Sequence, residues 1–215
     1  MSSNRSNLLP REEEVLTGKY ENFWKVNLLR GALAILIGSA ILVVPDLART
    51  ILLLPSAVAF VILSLAFYGV ADSILVFVTS YFTSLRAARA ALRVQSTAGV
   101  LIGILFGSIL FDRIQLEWFL YLIALQAFAT AYSEFVIARH TTRRHGSRVS
   151  FVAAVAALAR AMIYAITATV APTDLTPREI AYLAYAYLAA FGVAQILMSG
   201  RMLYLERHHD RTATA

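Results

Sequence analysis

Between Val26 and Val44 the chain runs for nineteen residues with one charged side chain, Arg30, and it then repeats this kind of apolar run five times. The six runs lie near 26–44, 55–79, 95–111, 117–138, 151–171 and 179–200. An α-helix rises 1.5 Å per residue, so about 20 apolar residues cross the hydrocarbon core of a bilayer. A globule of this size cannot bury six such helices. Of the 215 residues 59% are hydrophobic and 15% charged, with a mean hydropathy of +0.68; soluble domains run at roughly 45–50% and about 25%. The fold class is therefore all-α, a polytopic membrane protein with six transmembrane helices. The third run is short if begun at Thr97 and reaches full length when extended back through Ala91, Leu92 and Val94.

The links between runs are short, which makes consecutive helices antiparallel neighbours. Of 19 Lys and Arg, fourteen fall in the N-terminal tail, the second and fourth links and the C-terminal tail. Three, Arg49, Arg113 and Arg178, fall in the other links, and Arg30 and Arg160 lie within runs. The positive-inside rule then places both termini in the cytoplasm, N-in and C-in. The expected organisation is a polar N-terminal tail over 1–25, a membrane domain over 26–204 and a C-terminal tail over 205–215. In the first tail, Pro10 and the acids Glu12 to Glu14 read as a helix start. Val15, Leu16, Tyr20, Phe23 and Trp24 follow near one face, which predicts a short interfacial helix with Tyr20 and Trp24 at headgroup level. No early apolar region with a small-residue cleavage site appears, so the first membrane helix is expected to act as an uncleaved signal anchor.

An internal repeat organises the runs. The strings YGVADSILVF (68–77), TAYSEFVIAR (130–139) and FGVAQILMSG (191–200) align without gaps. Gly69, Ala131 and Gly192 coincide, and three residues on so do Asp72, Glu134 and Gln195. Helices one and three share IGSAIL (37–42) and FGSILF (106–111), and helices one and five are expected to end at Pro45 and Pro172. This predicts three tandem helical-hairpin repeats, about 26–80, 91–139 and 150–202, related by a pseudo-threefold axis along the membrane normal.

Arg30-Gly31, Gly38 and Pro45, followed by Gly69 before a polar residue in the second helix, resemble the HdeD family of small bacterial membrane proteins. The likeness runs from about Val26 to Arg201. It implies six helices with a short internal repeat, a bacterial inner-membrane location and a role in acid-stress resistance, and it brings no catalytic residues. The later odd-numbered helices lack an aligned Arg-Gly pair, and no proline follows the third.

The ionisable residues inside the runs carry whatever chemistry there is. Arg30 and Asp72 lie one and two turns inside the same end of adjacent helices, so they can pair. An unpaired charge at the bilayer centre costs about 2.5–3.5 kcal/mol on insertion scales. Glu134, close to Arg139 and the basic loop, is expected in an interfacial ion pair. Arg160, near the middle of helix five, needs a partner from Gln126, Asp72, Glu134 or Gln195. Arg30, Asp72, Gln126, Glu134, Arg160 and Gln195 thus form a candidate intramembrane polar layer, built as a proton relay or as a device that fixes helix register. Gly99, Gly103 and Gly107 form overlapping GxxxG motifs that permit close helix packing. Arg139, Arg143, Arg144 and Arg148 form a basic cluster suited to anionic lipid headgroups. The histidines, His140, His145, His208 and His209, read as solvated rather than metal-binding.

The chain has no cysteine, which excludes disulfides and a thiolate nucleophile. No Ser-His-Asp arrangement, phosphate loop or metalloprotease motif appears, and no soluble domain is available to carry nucleic acid. The resulting expectation is a non-enzymatic membrane scaffold or stress-response component, without cofactor or metal, in contact with anionic lipids and with copies of itself or partner subunits. The alternatives are a small proton or ion channel or transporter using the polar layer, and an accessory subunit docking through the glycine face of helix three.

Overall fold

The computed structural model describes residues 23–51, 55–83, 86–111, 118–140, 147–170 and 176–213. Six helices occupy them: α1 (Phe23–Ile51), α2 (Pro55–Phe82), α3 (Arg86–Ile109), α4 (Trp118–His140), α5 (Ser147–Val170) and α6 (Pro177–Ala213). Among the described residues there is no strand. Each helix contains a stretch of 20 to 27 residues long and apolar enough to cross a membrane. The interfacial helix expected before Phe23, with Tyr20, lies outside the described residues.

Helical boundaries follow from local chemistry, with two departures from expectation. At the start of α6, Thr176 and Glu179 cap reciprocally. The Thr176 backbone N–H and hydroxyl donate to Glu179 Oε2 at 2.8 and 2.7 Å, and Glu179 N–H donates to Thr176 Oγ1 at 3.3 Å. Pro177 occupies the first helical position, where its missing N–H has no intrahelical acceptor to lose. The first departure is α1, which runs through Pro45 to Ile51 instead of ending in a Pro-Asp turn. Proline removes one backbone hydrogen bond, but ending the helix would strand several, and membrane helices tolerate the smaller loss. The second is α6, which continues to Ala213 where a tail was expected from 205. Its 37 residues extend about 55 Å, well beyond a hydrocarbon core of about 30 Å.

The helices close a ring in chain order, with α6 returning to α1. The most extensive contacts are α2 with α3, α4 with α5 and α6 with α1; α5 with α6 is the thinnest. The strongest packing therefore joins neighbouring hairpins rather than the two helices within one. All these pairs run antiparallel. Gly69 lies against Gly99 and Gly103, Phe135 against Phe151, and Gly31 against Gly192. Trp24 and Ser199 meet at one end, where the Ser199 hydroxyl donates to the Trp24 carbonyl at 2.7 Å. Both ends of the described chain thus emerge on the same side, called here the termini side. On that side Arg89 closes the α2–α3 turn, its Nε and Nη2 donating to the Thr83 carbonyl at 3.1 and 2.8 Å.

Glycine sets how closely these helices approach. A Cβ added to Gly31 would stand 2.8 Å from the Gly192 carbonyl oxygen, and one added to Gly192 would stand 2.8 Å from that of Gly31. Gly103 is similarly placed, 3.0 Å from the Ala66 carbonyl, and Gly99 lies directly under the Ser73 hydroxyl. Gly107 differs from the sequence expectation: a Cβ there meets nothing within 4 Å. Gly99 and Gly103 seat α2 inside the chain, so they do not form a face for a partner subunit. The backbone contact predicts that Gly31→Val separates α1 from α6 and lowers unfolding free energy by about 1–3 kcal/mol, as overpacking does. Gly107→Ala should leave the thermal transition in detergent unchanged, and comparing the two transitions checks both expectations.

Candidate functional site: a buried polar core

The buried side chains divide by depth. On the termini side they include Asn27, Arg30, Asp72, Gln95, Ser133, Glu134, Ser150 and Gln195. In the opposite half the core is apolar, built from Ile37, Ile41, Ile62, Ile102, Phe106, Phe119, Ile123 and Leu188. α4 is the most enclosed span, 61% buried, and α5 the least, 28%, so Glu134 and Gln126 sit on the helix best shielded from lipid.

Arg30 anchors the core. Its Nε donates to Asp72 Oδ1 at 2.6 Å and its Nη2 to Asp72 Oδ2 at 3.0 Å, with side chains only 4% and 2% exposed. This is a bidentate charge pair, the strongest geometry available to these two groups. The pairing expected from depth is present. The Arg30 guanidinium carbon also stands 5.4 Å from the centre of the Phe191 ring.

Arg160 finds a different partner from those expected. Its guanidinium carbon lies 5.5 Å from the centre of the same Phe191 ring, and its Nε has no hydrogen-bond partner. Two arginines from α1 and α5 thus share one aromatic side chain of α6, whose quadrupole attracts both cations. Tyr68 meets Phe191 edge-on at 6.1 Å and Tyr187 stacks on it at 6.5 Å. Tyr164 meets Tyr187 edge-on at 5.8 Å, and its hydroxyl donates to the Leu183 carbonyl at 2.8 Å. This cluster stitches the thin α5–α6 seam. It was missed in the sequence because aromatic residues in apolar runs carry no sign of which ones face a cation.

Glu134 also differs from expectation. It is 3% exposed and hydrogen-bonded by Ser150 of α5, while Arg139 is exposed. Residues five apart on a helix are turned by roughly 140°, so Glu134 facing the core points Arg139 away from it. Glu134 Oε2 has no partner, and Arg30 acts on this carboxylate electrostatically. Gln195 stands beside the Arg30-Gly31 stretch, its Cβ 3.2 Å from where a Gly31 Cβ would lie. Arg30, Asp72, Glu134 and Gln195 therefore come together, Arg160 stands at the same Phe191 ring as Arg30, and Gln126 packs near Gly99 on the α3 side.

A second polar group, not anticipated, ties α2, α3 and α4. Ser133 donates to Gln95 Oε1 at 2.5 Å, Gln95 Nε2 donates to Thr130 Oγ1 at 3.3 Å, and Ser96 donates to the Ser73 carbonyl at 2.8 Å. The one available signal was Gln95 and Ser96 opening the apolar part of α3 just after Arg93. Among the described residues no group of three His, Asp or Glu has metal-binding proximity. Arg148 is exposed, as Arg139 is; Arg143, Arg144 and His145 lie outside the described residues.

Compared with known proteins, the chain matches no family model, no curated protein and no solved structure.

Asp72→Ala breaks the buried bidentate pair that holds Arg30 and should cost about 3–5 kcal/mol. Replacing both partners by apolar residues of similar volume, Arg30→Met with Asp72→Leu, should recover most of that loss. Unfolding of the single and double variants in mixed micelles measures both.

Proposed function

We propose that this protein is a non-enzymatic scaffold or stress-response component of a bacterial inner membrane, resembling the HdeD family, with both termini cytoplasmic. The carrying observation is the Arg30–Asp72 pair, closed over by Phe191 and backed by an apolar half-core. A bidentate pair sealed between three helices fixes their register. Three tandem hairpins account for the matched positions Asp72, Glu134 and Gln195, and for a ring whose strongest contacts recur at every second helix pair. The basic residues on the termini side, Arg139 and Arg148 among them, suit anionic headgroups of the cytoplasmic leaflet.

A second reading, a small proton or ion transporter, is favoured by one specific observation. Tyr68 Oη, Gln126 Oε1, Glu134 Oε2, Arg160 Nε and Gln195 Oε1 are buried without hydrogen-bond partners. Buried polar atoms in native proteins almost always find partners, water included. Proton flux in proteoliposomes under an imposed pH gradient separates the two readings. A scaffold gives no flux above empty vesicles, and Asp72→Asn and Arg160→Gln then lower only thermal stability. Flux that either substitution abolishes establishes the transporter.

The absence of native cysteine makes orientation directly measurable. A cysteine at Phe111 should react with a membrane-impermeant maleimide in intact cells, and one at His140 only after permeabilisation. The reverse pattern refutes cytoplasmic termini.

A further inference from the structure

One guanidinium serves two buried carboxylates. Asp72 is 2% exposed and Glu134 3%. Arg30 engages both oxygens of Asp72, while Glu134 Oε2 receives no hydrogen bond although Arg30 is the cation that acts on it. Among the described residues, Arg30 is the cation whose charge reaches Glu134. From α5 it meets the neutral Ser150. Arg160, also on α5, is turned to Phe191. From α6 the matched side chain is the neutral amide of Gln195, from α3 the neutral Gln95 is held by Ser133 and Thr130, and from α2 Asp72 is already paired. On α4 itself, Arg139 and His140 are exposed. Two negative charges would therefore share one cation in a medium that solvates neither, and a proton is the smallest species that removes the excess.

We propose that Arg30, Asp72 and Glu134 form a buried proton-binding site, in which the guanidinium neutralises one carboxylate at a time and the other carries a proton. In the arrangement seen here Asp72 holds the cation, and the proton sits on Glu134 as an O–H bond formed with a proton drawn from water. If Arg30 moves to Glu134, that proton leaves and Asp72 takes one, so the net charge of the three groups stays at zero. The site goes beyond the scaffold reading and does not rest on it: a scaffold and a transporter would both contain it.

The test is infrared spectroscopy of the full chain in lipid nanodiscs at neutral pH, with exchange into heavy water to identify the carboxylic acid C=O band. Exposed carboxylates are ionised there and give no such band. The wild type should show one protonated carboxyl, absent in Glu134→Gln. This variant keeps the Arg30–Asp72 pair intact, so it should fold and retain the wild-type helical circular dichroism. Asp72→Asn should lose the band as well, because Arg30 is then free to pair with an ionised Glu134. No acid band in the wild type, or a band that persists in Glu134→Gln, overturns the site. A band that persists in a folded Asp72→Asn variant overturns the sharing of one cation.

Discussion

A guanidinium placed two turns from the end of a membrane helix must be neutralised where it stands, because the surrounding hydrocarbon cannot solvate it. Arg30 meets that requirement through Asp72, and much of the bundle follows from it. The pair aligns α1 with α2 in depth, since a shift of one turn would carry the carboxylate about 5.4 Å from its partner. Phe191 then brings α6 over the same guanidinium. The close approach of α6 depends on the residue next in sequence, Gly31, whose backbone touches that of Gly192. Charge neutralisation and backbone contact therefore reside on adjacent residues of α1. Buried ion pairs seldom outperform apolar packing in net stability, so the consequence of this one is register rather than strength.

The polar groups are not spread along the bundle. They crowd into the termini-side half, where Ser133, Gln95 and Thr130 bind one another, Ser96 binds the Ser73 carbonyl and Arg30 binds Asp72. The other half is closed by isoleucines, leucines and the Phe106–Phe119 pair, 5.9 Å apart. A helix bundle in lipid gains little from apolar side chains that lipid would contact equally well, so specific association comes from close packing and interhelical hydrogen bonds. In this protein the two are divided by depth. Polar contacts and glycines select partners in one half; apolar side chains, with the Tyr164 hydroxyl bound to the Leu183 carbonyl, fill the other.

Hydropathy is a bulk property, summed over 20 or more residues, and it made all six spans legible. The Arg30–Asp72 pair was legible because depth can be counted from helix ends. What needed angle rather than depth was not. Glu134 and Arg139 are close in sequence but turned apart around α4, so the nearest opposite charge was not the relevant one. Arg160 was matched to polar partners because sequence shows polarity and hides ring orientation; Phe191 looked like any other apolar residue. Pro45 was read as a stop because proline breaks helices in water, where a freed carbonyl finds solvent. Gly107 belongs to the same GxxxG series as Gly99 and Gly103, yet residues four apart drift by about 40° around a helix, and a Cβ on Gly107 meets nothing within 4 Å.

The small residues Gly69, Ala131 and Gly192 are each followed three positions later by a polar residue, Asp72, Glu134 and Gln195. Three residues on a helix turn through about 300°, which leaves the two side chains some 60° apart. Where the small residue lets a neighbouring helix approach, as Gly69 does for α3 and Gly192 for α1, the polar residue is directed beside that contact toward the interior. On α2, α4 and α6 the three polar side chains are all buried. Their chemistry is unequal: an aspartate, a glutamate and an amide. Asp72 holds Arg30 through both of its oxygens while Glu134 Oε2 has no hydrogen-bond partner, so two carboxylates buried in one core are held unequally, and the inequality follows from which helix each stands on rather than from their chemistry.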